Sequence, residues 1–390
     1  VLIQRGYKTE IDPNNKQITL LCKNAGAARF AYNWALNLKK TAFENKIKIP
    51  NAIELHRELN LLKKKELSWM YEVSKCSPHE ALRNCDTAFN NFFRKCKQKI
   101  KGKKGFPKFK SKKSGLGSFR LNGTIKASKT HIQLPRIGKI KLKEYGYLPI
   151  NAKILSANVS ERAGRWFVSL QVEEKINQIQ KPECIVGVDL GIKTLAVCSD
   201  GMTYPNPKAL RSNLDKLKIR SRQVSKKVKG SKNRKKAVKR LAKLHYKISN
   251  IRKDSIHKIT SNLTRTKSKV VIEDLNVSGM MKNRKLSRAI SDLGLFEFRR
   301  QLEYKGKWYG CEIVIADRFY PSSKLCSNCG WIKKDLSLKD RVFKCNSCGL
   351  EIDRDLNASY NLESYTVSST GINAHGEVSS GLSNQVKLTS

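Results

Sequence analysis

Three acidic residues stand where an apolar segment meets a turn. Asp189 follows the run IVGV at 185–188, Glu273 follows the run VVI at 270–272, and Asp355 opens a later apolar pattern. The two runs predict buried strands, and the third segment predicts a helix with Asp355 as its N-cap or first-turn acid. Burying an unpaired carboxylate costs several kcal/mol or shifts its pKa until it is neutral, so each acid needs a partner.

Together the three carboxylates could form one divalent-metal site. Taken singly, each has a simpler explanation, such as a helix cap or an ion pair with a lysine at a strand end. Carboxylates that repel one another become stable around two Mg²⁺ ions about 3.5–4 Å apart, where one ion lowers the pKa of an attacking water and the other stabilises a leaving 3′ oxygen. The corresponding reaction is phosphodiester hydrolysis. The acids are far apart in the chain, so the sequence leaves open whether they meet.

Two C-x-x-C pairs predict a structural zinc site. Cys326 with Cys329 and Cys345 with Cys348 form the pairs, and a glycine follows each pair. A tight turn brings the two thiolates of a pair to one side, and the glycine permits that turn. We expect a hairpin between the pairs to complete one tetrahedral site of four thiolates without an open position for water, and zinc to stabilise a small lobe that lacks a core of its own. Four unligated cysteines are the alternative.

The charge of the chain indicates a polyanionic partner. Lys and Arg number 79 against 32 Asp and Glu, which gives a formal net charge of +47 over 390 residues. Nucleic acid relieves this self-repulsion effectively, because binding releases its condensed counterions. Ribosomal proteins share the sign of the charge but are usually shorter. The length accommodates two or three domains.

The cysteines and the apolar runs predict a cytoplasmic location. The chain has 11 cysteines, but it opens on no secretory apolar segment, and no run approaches the roughly 20 apolar residues of a membrane span. We therefore expect reduced thiols and no membrane partner.

Changes in apolar period predict the elements that position these groups. Residues 2–20 predict a short hairpin around the turn-forming residues 12–15, although a helix could begin near residue 18 instead. A helical period follows over 25–100, and residues 118–174 alternate every two positions, as expected for a β-rich module. The polar composition past residue 366 predicts a disordered tail.

Two basic segments are candidates for binding nucleic acid. In 101–113, cations alternate with two phenylalanines, and Gly and Pro exclude a helix, which suits a loop that follows phosphates and stacks on bases; a flexible linker is the alternative. In 207–258, 20 Lys or Arg occur against two Asp, which predicts one or two long cationic helices facing a polyanion. The candidate contacts are Lys103, Lys104, Phe106, Lys108, Phe109, Lys110, Arg234, Lys235, Lys236, Lys239, Arg240 and Lys243.

The motifs resemble those of the TnpB (OrfB) proteins of bacterial insertion sequences, relatives of the type V CRISPR nucleases. G-V-D-L-G at 187–191, V-I-E-D-L at 271–275 and D-R-D-L-N-A at 353–358 correspond in order to the three pieces of that family's RuvC-like nuclease. P-S-S-K at 321–324 and G-F-P-K-F-K at 105–110 are similar to its other recurrent segments. The resemblance covers nearly the whole chain.

The resemblance implies an α/β multidomain protein. Its parts would be an RNase H-like (RuvC-type) nuclease domain with a zinc ribbon, a helical recognition domain and a β-barrel wedge domain. The implied ranges are 1–24 for the N-terminal strands of the wedge domain and 106–180 for the rest of it, 25–105 for the recognition domain, 181–366 for the nuclease domain, 207–268 for its basic helical insertion, 320–350 for its zinc ribbon and 367–390 for the tail.

The implied activity is that of a Mg²⁺-dependent, RNA-guided endonuclease acting on double-stranded DNA. The guide RNA would come from the end of the element, and a short motif beside the target would be read as duplex. Asp189, Glu273 and Asp355 would be the catalytic acids and the ligands of two Mg²⁺ ions; Asp353 is the weaker third candidate, because the family's acid immediately precedes the x-Asn-Ala triplet. A monomer with its RNA, associated with the bacterial nucleoid, is implied.

One departure and two alternatives stay open. Relatives often have a Ser-Gln pair where this chain has Lys75-Cys76, which leaves open the bases that the chain reads beside its target. The first alternative is a transposase that cuts and joins element ends with the same acids. The second is an RNA-programmed repressor that binds without cutting, and its usual sign would be a damaged set of acids, whereas all three are present.

Overall fold

The computed structural model describes residues 1–98, 102, 104–177, 181–337 and 339–369, and the chain divides into two compact units. Unit 1 comprises Val1–Ile176 and Lys227–Tyr246, and unit 2 comprises Asn177–Lys226 and Lys247–Ser390. The predicted tail begins at residue 367; a helix continues to Ser369, and 370–390 lie outside the described residues.

Unit 1 contains a seven-stranded antiparallel sheet and three α-helices that precede most of its strands. In chain order the elements are β1 (Leu2–Asp12), α1 (Asn15–Glu44), α2 (Ala52–Lys65), α3 (Cys76–Lys97), β2 (Ser118–Leu121), β3 (Lys126–Ala127), β4 (His131–Leu134), β5 (Gly138–Leu142), β6 (Lys153–Arg162) and β7 (Arg165–Lys175). The sheet order is β2-β6-β7-β1-β5-β4-β3. The predictions of helices first and a β-rich module after them are confirmed for the described residues.

The predicted N-terminal hairpin is wrong, and the alternative of a helix that begins near residue 18 agrees better with the structure. β1 is a single strand that pairs with β7 from Leu2 to Ile11, and α1 begins at once after it. The Asn14 side chain accepts a hydrogen bond from the Gln17 backbone N–H at 2.9 Å, and the Gln17 side chain accepts one from the Asn14 N–H at 3.0 Å. This reciprocal cap starts the helix, so residues 15–24, assigned above to strands, are helical.

Helices and sheet of unit 1 share one hydrophobic core. Buried Leu36 of α1 and Leu82 of α3 belong to the same cluster as Leu121 of β2 and Val168 of β7. The alternating pattern of the strands therefore places one face of the sheet beneath the helices.

Unit 2 is built on a mixed five-stranded sheet. Together with the helix that crosses the unit boundary, its elements are β8 (Ile185–Asp189), β9 (Thr194–Cys198), β10 (Thr203–Pro205), α4 (Leu214–Ser225), α5 (Lys232–Thr266), β11 (Lys269–Glu273), α6 (Val277–Met280), α7 (Ser287–Leu293), α8 (Leu295–Tyr309), β12 (Glu312–Ala316), β13 (Val342–Lys344), β14 (Glu351–Asp353) and α9 (Arg354–Ser369). The sheet order is β10-β9-β8-β11-β12, with β8, β11 and β12 parallel and β9 antiparallel to β8.

The strongly basic segment forms α4 and α5, which confirms the prediction of one or two long helices. Helix α5 contributes its first part to unit 1 and the remainder to unit 2. No helix among the described residues combines the length and the apolar content needed to cross a membrane.

Candidate active site and zinc ribbon

The ends of two adjacent parallel strands bring Asp189 and Glu273 together. β8 and β11 pair in a register that sets Val188 opposite Ile272. The next residue of each strand is an acid, and parallel strands end at the same edge of a sheet. The two carboxylates therefore project from neighbouring positions at one edge.

The first turn of α9 brings Asp355 to the same edge. The helix packs on β8 at Gly187, where an added Cβ would lie 2.0 Å from the carbonyl oxygen of Ser359 and 2.4 Å from the backbone nitrogen of Glu363. The missing side chain allows this close approach. Asp355 Oδ2 lies 3.9 Å from the position that a Cβ on Gly191 would occupy, so the carboxylate faces the segment that follows β8.

The variant Gly187→Ala is expected to destabilise the protein by about 1–3 kcal/mol or more, because the new methyl group meets backbone atoms that no side-chain rotation removes. Its unfolding temperature, followed by circular dichroism, should fall. Gly26→Ala is the control: an added Cβ at Gly26 in α1 meets nothing within 4 Å, and alanine is the better helix former. An unchanged unfolding temperature for Gly187→Ala would contradict the packing of α9 on β8.

Asp353 and Asp355 have different environments at the start of α9. Asp353 Oδ1 accepts hydrogen bonds from the backbone N–H groups of Asp355 at 2.9 Å and Leu356 at 3.1 Å, so Asp353 is the N-cap. Asp355 stands within the first turn, and its Oδ1 accepts a hydrogen bond from the Arg354 guanidinium at 3.2 Å. Of the two possibilities that the sequence left open, Asp355 is therefore the first-turn acid.

Glu273 and Asp274 are also distinguished by their partners. The Asp274 carboxylate pairs with Arg299 at 2.6 Å and with Arg318. Hydrogen bonds from Arg318 and then Arg299 lower the pKa of Asp274. Glu273 instead accepts a hydrogen bond from the hydroxyl of Ser322, a residue that is 2% exposed. The sequence suggested no role for Ser322, because 49 residues separate it from Glu273.

The three acids fit divalent cations electrostatically. Burial, followed by the charges of Glu273 and Asp355, raises the pKa of Asp189 to about 8. Each cause penalises a negative charge that a bound cation would compensate, and carboxylate oxygens are the ligands that Mg²⁺ prefers. The four cysteine sulfurs lie within 4.8 Å of one another, but the carboxylate oxygens of the three acids in the described part of the chain are more widely spaced. A pair of ions about 3.5–4 Å apart distributes its ligands over such a wider group.

The four predicted zinc ligands converge. The Sγ atoms of Cys326 and Cys348 are 3.7 Å apart, those of Cys329 and Cys345 are 3.6 Å apart, and all four lie within 4.8 Å of one another. Tetrahedral zinc with Zn–S bonds of about 2.3 Å sets its sulfurs about 3.8 Å apart. The cysteine sulfurs therefore fit a structural zinc ion.

The strands of the ribbon differ from the prediction. The pair Leu325–Ile332 flanks the first knuckle, and β13 with β14 flanks the second. The predicted hairpin between the knuckles is therefore wrong for the described residues. The lobe also has a small core, in which fully buried Phe343 clusters with Cys326 and Cys345.

Hydrogen bonds favour the thiolate form at one of the cysteines. The backbone N–H of Leu350 and the side-chain amide of Asn328 lower the pKa of Cys348 to about 6, whereas burial raises that of Cys326 to about 12. Zinc binds thiolates, so the hydrogen bonds at Cys348 favour the form of the side chain that zinc takes.

Comparison with known proteins identifies the family. A family model described as "Probable transposase" (OrfB_IS605) matches residues 167–284, "Cas12f1-like, TNB domain" matches 296–362, and "Helix-turn-helix domain" matches 3–48. A Streptomyces pristinaespiralis protein named "Putative RNA-guided DNA endonuclease" is 38% identical over 370 residues, covering 92% of this chain and 89% of that protein. The chain belongs to the TnpB (OrfB) family.

Further relatives agree with this TnpB assignment. The Escherichia coli K12 protein named "Putative RNA-guided DNA endonuclease InsQ" is 30% identical over 378 residues, covering 92% of this chain and 91% of its own. A solved Cas12f1–sgRNA–target DNA complex matches with a TM-score of 0.55 at 16% identity, over 93% of this chain and 99% of that one. The mini-RNA-guided endonuclease CRISPR-Cas_phi3 matches with a TM-score of 0.51 at 10% identity, over 96% and 94%. This TnpB chain thus has the multidomain α/β fold of Cas12 effectors.

Residues 104–110 of the basic loop of this TnpB chain pack on its helices instead of forming a free linker. Phe106 contacts Phe89 and Phe92 edge to face, with ring centroids 5.7 and 5.2 Å apart. The Asn33 amide donates to the Lys110 carbonyl at 2.9 Å and accepts from its N–H at 2.8 Å. The Lys110 ammonium lies 3.8 Å from the Tyr32 ring centroid. The loop is therefore held in place.

The candidate contacts of the loop differ in how far their side chains are exposed to a nucleic acid. Phe109 is 55% exposed, and Lys104 and Lys108 are exposed as well. Lys103 lies outside the described residues. Phe106, although it packs on α3, is 43% exposed, so both phenylalanines of the loop offer an accessible ring beside cations.

A basic cleft of 1670 Å³ within unit 1 contains several candidate contacts on the first part of α5. Arg234, Lys235 and Lys239 line it, whereas Lys236, Arg240 and Lys243 are exposed on the same helix outside this lining. Two further cations of the lining, Lys113 and Lys229, belong to the two basic segments predicted from the sequence, whereas Lys8 and Arg162 do not. Lys8 lies in β1 and Arg162 ends β6, so no local sequence pattern identifies them.

Proposed function

We propose that this TnpB-family protein is an RNA-guided endonuclease that cleaves double-stranded DNA complementary to its guide. The observation that carries the proposal is the meeting of Asp189, Glu273 and Asp355 at one edge of the five-stranded sheet. The names of the relatives and the Cas12 fold support the same activity, and the net charge of +47 suits RNA and DNA partners.

The three acids hold the catalytic metals in this proposal. Two bound Mg²⁺ ions would supply an activated water and stabilise the leaving 3′ oxygen. The chain fixes the ligands from separate elements: β8 carries Asp189, β11 carries Glu273, and α9 carries Asp355 with Asp353 as its cap. The four cysteines hold one zinc ion with a structural role.

The finer assignments follow the resemblance. Unit 2 acts as a RuvC-type nuclease with its ribbon, the sheet of unit 1 as a β-barrel wedge domain, and helices α1–α3 as the recognition domain. The guide RNA derives from the end of the element, and a short motif beside the target is read as duplex. The basic cleft and the loop at 104–110 contact nucleic-acid backbone while base pairing supplies sequence specificity. The protein acts as a monomer with its RNA in the bacterial cytoplasm, at the nucleoid.

Cleavage is expected to follow the guide. Protein purified with its co-expressed RNA should cut a plasmid that carries the matching sequence with Mg²⁺ present, and a new guide segment should redirect cutting to a new sequence. A plasmid with a scrambled target is the control. Equal cutting of matched and scrambled plasmids would overturn the guided activity, even if hydrolysis itself were metal-dependent.

A transposase is the second candidate, favoured by the family description "Probable transposase" for residues 167–284. It would use the same acids but join DNA strands. Joined products from substrates that carry the element ends, formed without any guide RNA, would favour it. A repressor without cleavage is disfavoured because all three acids are present and lie at one edge of the sheet.

A further inference from the structure

We infer that Ser322 is a positioning residue for Glu273, and that the zinc ribbon is thereby mechanically connected to the acidic metal site. This inference rests on the proposed function, since it concerns a ligand of the proposed catalytic ions. It assigns a role to the P-S-S-K segment at 321–324, whose resemblance to a recurrent family segment indicated no function by itself.

The contact itself joins a buried donor to a proposed metal ligand. The Ser322 hydroxyl donates a hydrogen bond to Glu273 Oε1, and Ser322 is 2% exposed. A hydrogen bond to an ionised carboxylate is stronger than a neutral one, and it restricts the side-chain rotation of the glutamate. Oε1 accepts the serine hydrogen bond, which leaves Oε2 available as a ligand for a cation.

The segment around Ser322 is held by the helix that carries Asp355. The Asn361 side chain in α9 donates to the carbonyl oxygens of Ser322 and Leu325, both at 2.7 Å. Asn357, one turn earlier, also donates to the Leu325 carbonyl at 2.7 Å. Both asparagines are buried. Helix α9 therefore fixes one acid directly and a second acid through Ser322.

The same segment leads directly into the first zinc knuckle. The Ser327 backbone N–H donates to Asn357 Oδ1 at 3.0 Å, and Cys326 lies between the two anchored residues Leu325 and Ser327. A zinc ion bound at Cys326 would hold this segment from its far end. The order of the ribbon and the orientation of Glu273 are thus linked through one short stretch of chain.

Loss of the Ser322 hydroxyl is expected to weaken binding of divalent cations at the acids. Removal of a residue that orients a metal ligand typically lowers metal affinity or activity about 10- to 100-fold. We expect Ser322→Ala to fall in this range. Ser323→Ala, the same change one residue later, is the matched control, because Ser323 is only partly buried and is not the residue that contacts Glu273.

The test compares zinc-loaded, full-length proteins. Mn²⁺ affinity, measured without nucleic acid by electron paramagnetic resonance of free Mn²⁺, should be about 10- to 100-fold weaker for Ser322→Ala and unchanged for Ser323→Ala. The Mg²⁺ concentration for half-maximal cleavage should rise for Ser322→Ala and stay unchanged for Ser323→Ala. Zinc content should stay at one ion per chain in both. Ser322→Thr retains the donor and should bind Mn²⁺ more tightly than Ser322→Ala.

Several outcomes would overturn the inference. The first is that Ser322→Ala and Ser323→Ala have equal Mn²⁺ affinity and equal Mg²⁺ dependence. The second is that Ser322→Ala loses its zinc, because the defect would then be one of ribbon folding. The variant Asp189→Ala distinguishes a failure of the Ser322 inference from a failure of the proposed nuclease activity. If Asp189→Ala is inactive while Ser322→Ala resembles its control, only the positioning role is lost; if Asp189→Ala cleaves normally, the proposed active site is wrong.

Discussion

Replacement of Asp189 or Asp355 by asparagine is expected to lower the rate of guided DNA cleavage at least about 1,000-fold. Metal-ion catalysis contributes several kcal/mol of transition-state stabilisation, and each 1.4 kcal/mol corresponds to about a tenfold change in rate. Asparagine preserves the shape of the side chain but removes a charged ligand. RNA binding should persist, since neither residue belongs to the proposed nucleic-acid surface. Single-turnover cleavage of a matched duplex measures the rate, and a gel shift with guide RNA measures binding.

Asp353→Asn is the matched control for this prediction. Asp353 lies two residues before Asp355 and accepts two backbone hydrogen bonds as the cap of α9. Asparagine is an equally good N-cap, so stability and cleavage should change little. If Asp353→Asn abolished cleavage while Asp355→Asn did not, the third acid would be misassigned. Retained cleavage in Asp189→Asn would show that hydrolysis occurs elsewhere.

The sequence predicted the separate parts of the acidic site better than their arrangement. Short Val- and Ile-rich runs that end in acid indicated the strands of Asp189 and Glu273, because a buried strand has a distinctive composition. Their parallel pairing depends on a crossover through α4 and α5, which no local pattern encodes. Gly187 gave no warning that a helix would pack on it, since its role depends on the backbone of residue 359.

Local signals failed where two of them competed. The turn-forming residues at 12–15 suggested a hairpin, yet Asn14 and Gln17 already had the spacing of a capping box. The helix prevailed because β1 pairs with the distant β7 over almost its whole length. A strand partner more than 150 residues away cannot be read from a local alternation. The same limit explains why the sequence assigned no role to Ser322 of the P-S-S-K segment and gave no sign of the cleft residue Arg162.

The cysteine spacing was the most informative local pattern in the chain. Ligands in each knuckle are three residues apart, so their geometry is set by one turn, and the sulfurs converge as expected. Gly330 and Gly349 adopt φ of +74° and +76°, values that favour glycine. The strands around the knuckles were not predicted correctly, because their pairing follows from the fold of the whole lobe.

Removal of one zinc ligand by Cys345→Ser is expected to abolish stoichiometric zinc binding and to unfold the ribbon locally. Binding free energies of about 10–16 kcal/mol are coupled to folding in zinc-finger peptides, and here the lobe adds only a small cluster around Phe343. Hydrogen exchange measured by mass spectrometry should show lost protection at β13 and β14, with β8 and β11 still protected. Zinc content by atomic emission should fall from one ion per chain to near zero.

Cys96→Ser is the control for this second prediction, because it makes the same chemical change in α3, outside the ribbon. It should keep its zinc and the exchange pattern of the parent protein. Since Leu325 and Ser327 connect the first knuckle to α9 through Asn357, cleavage by Cys345→Ser should also fall, with Mn²⁺ affinity reduced in parallel. A ribbon that stays protected after its zinc is lost would contradict the structural role of the metal, because the Phe343 cluster would then suffice to hold the lobe together.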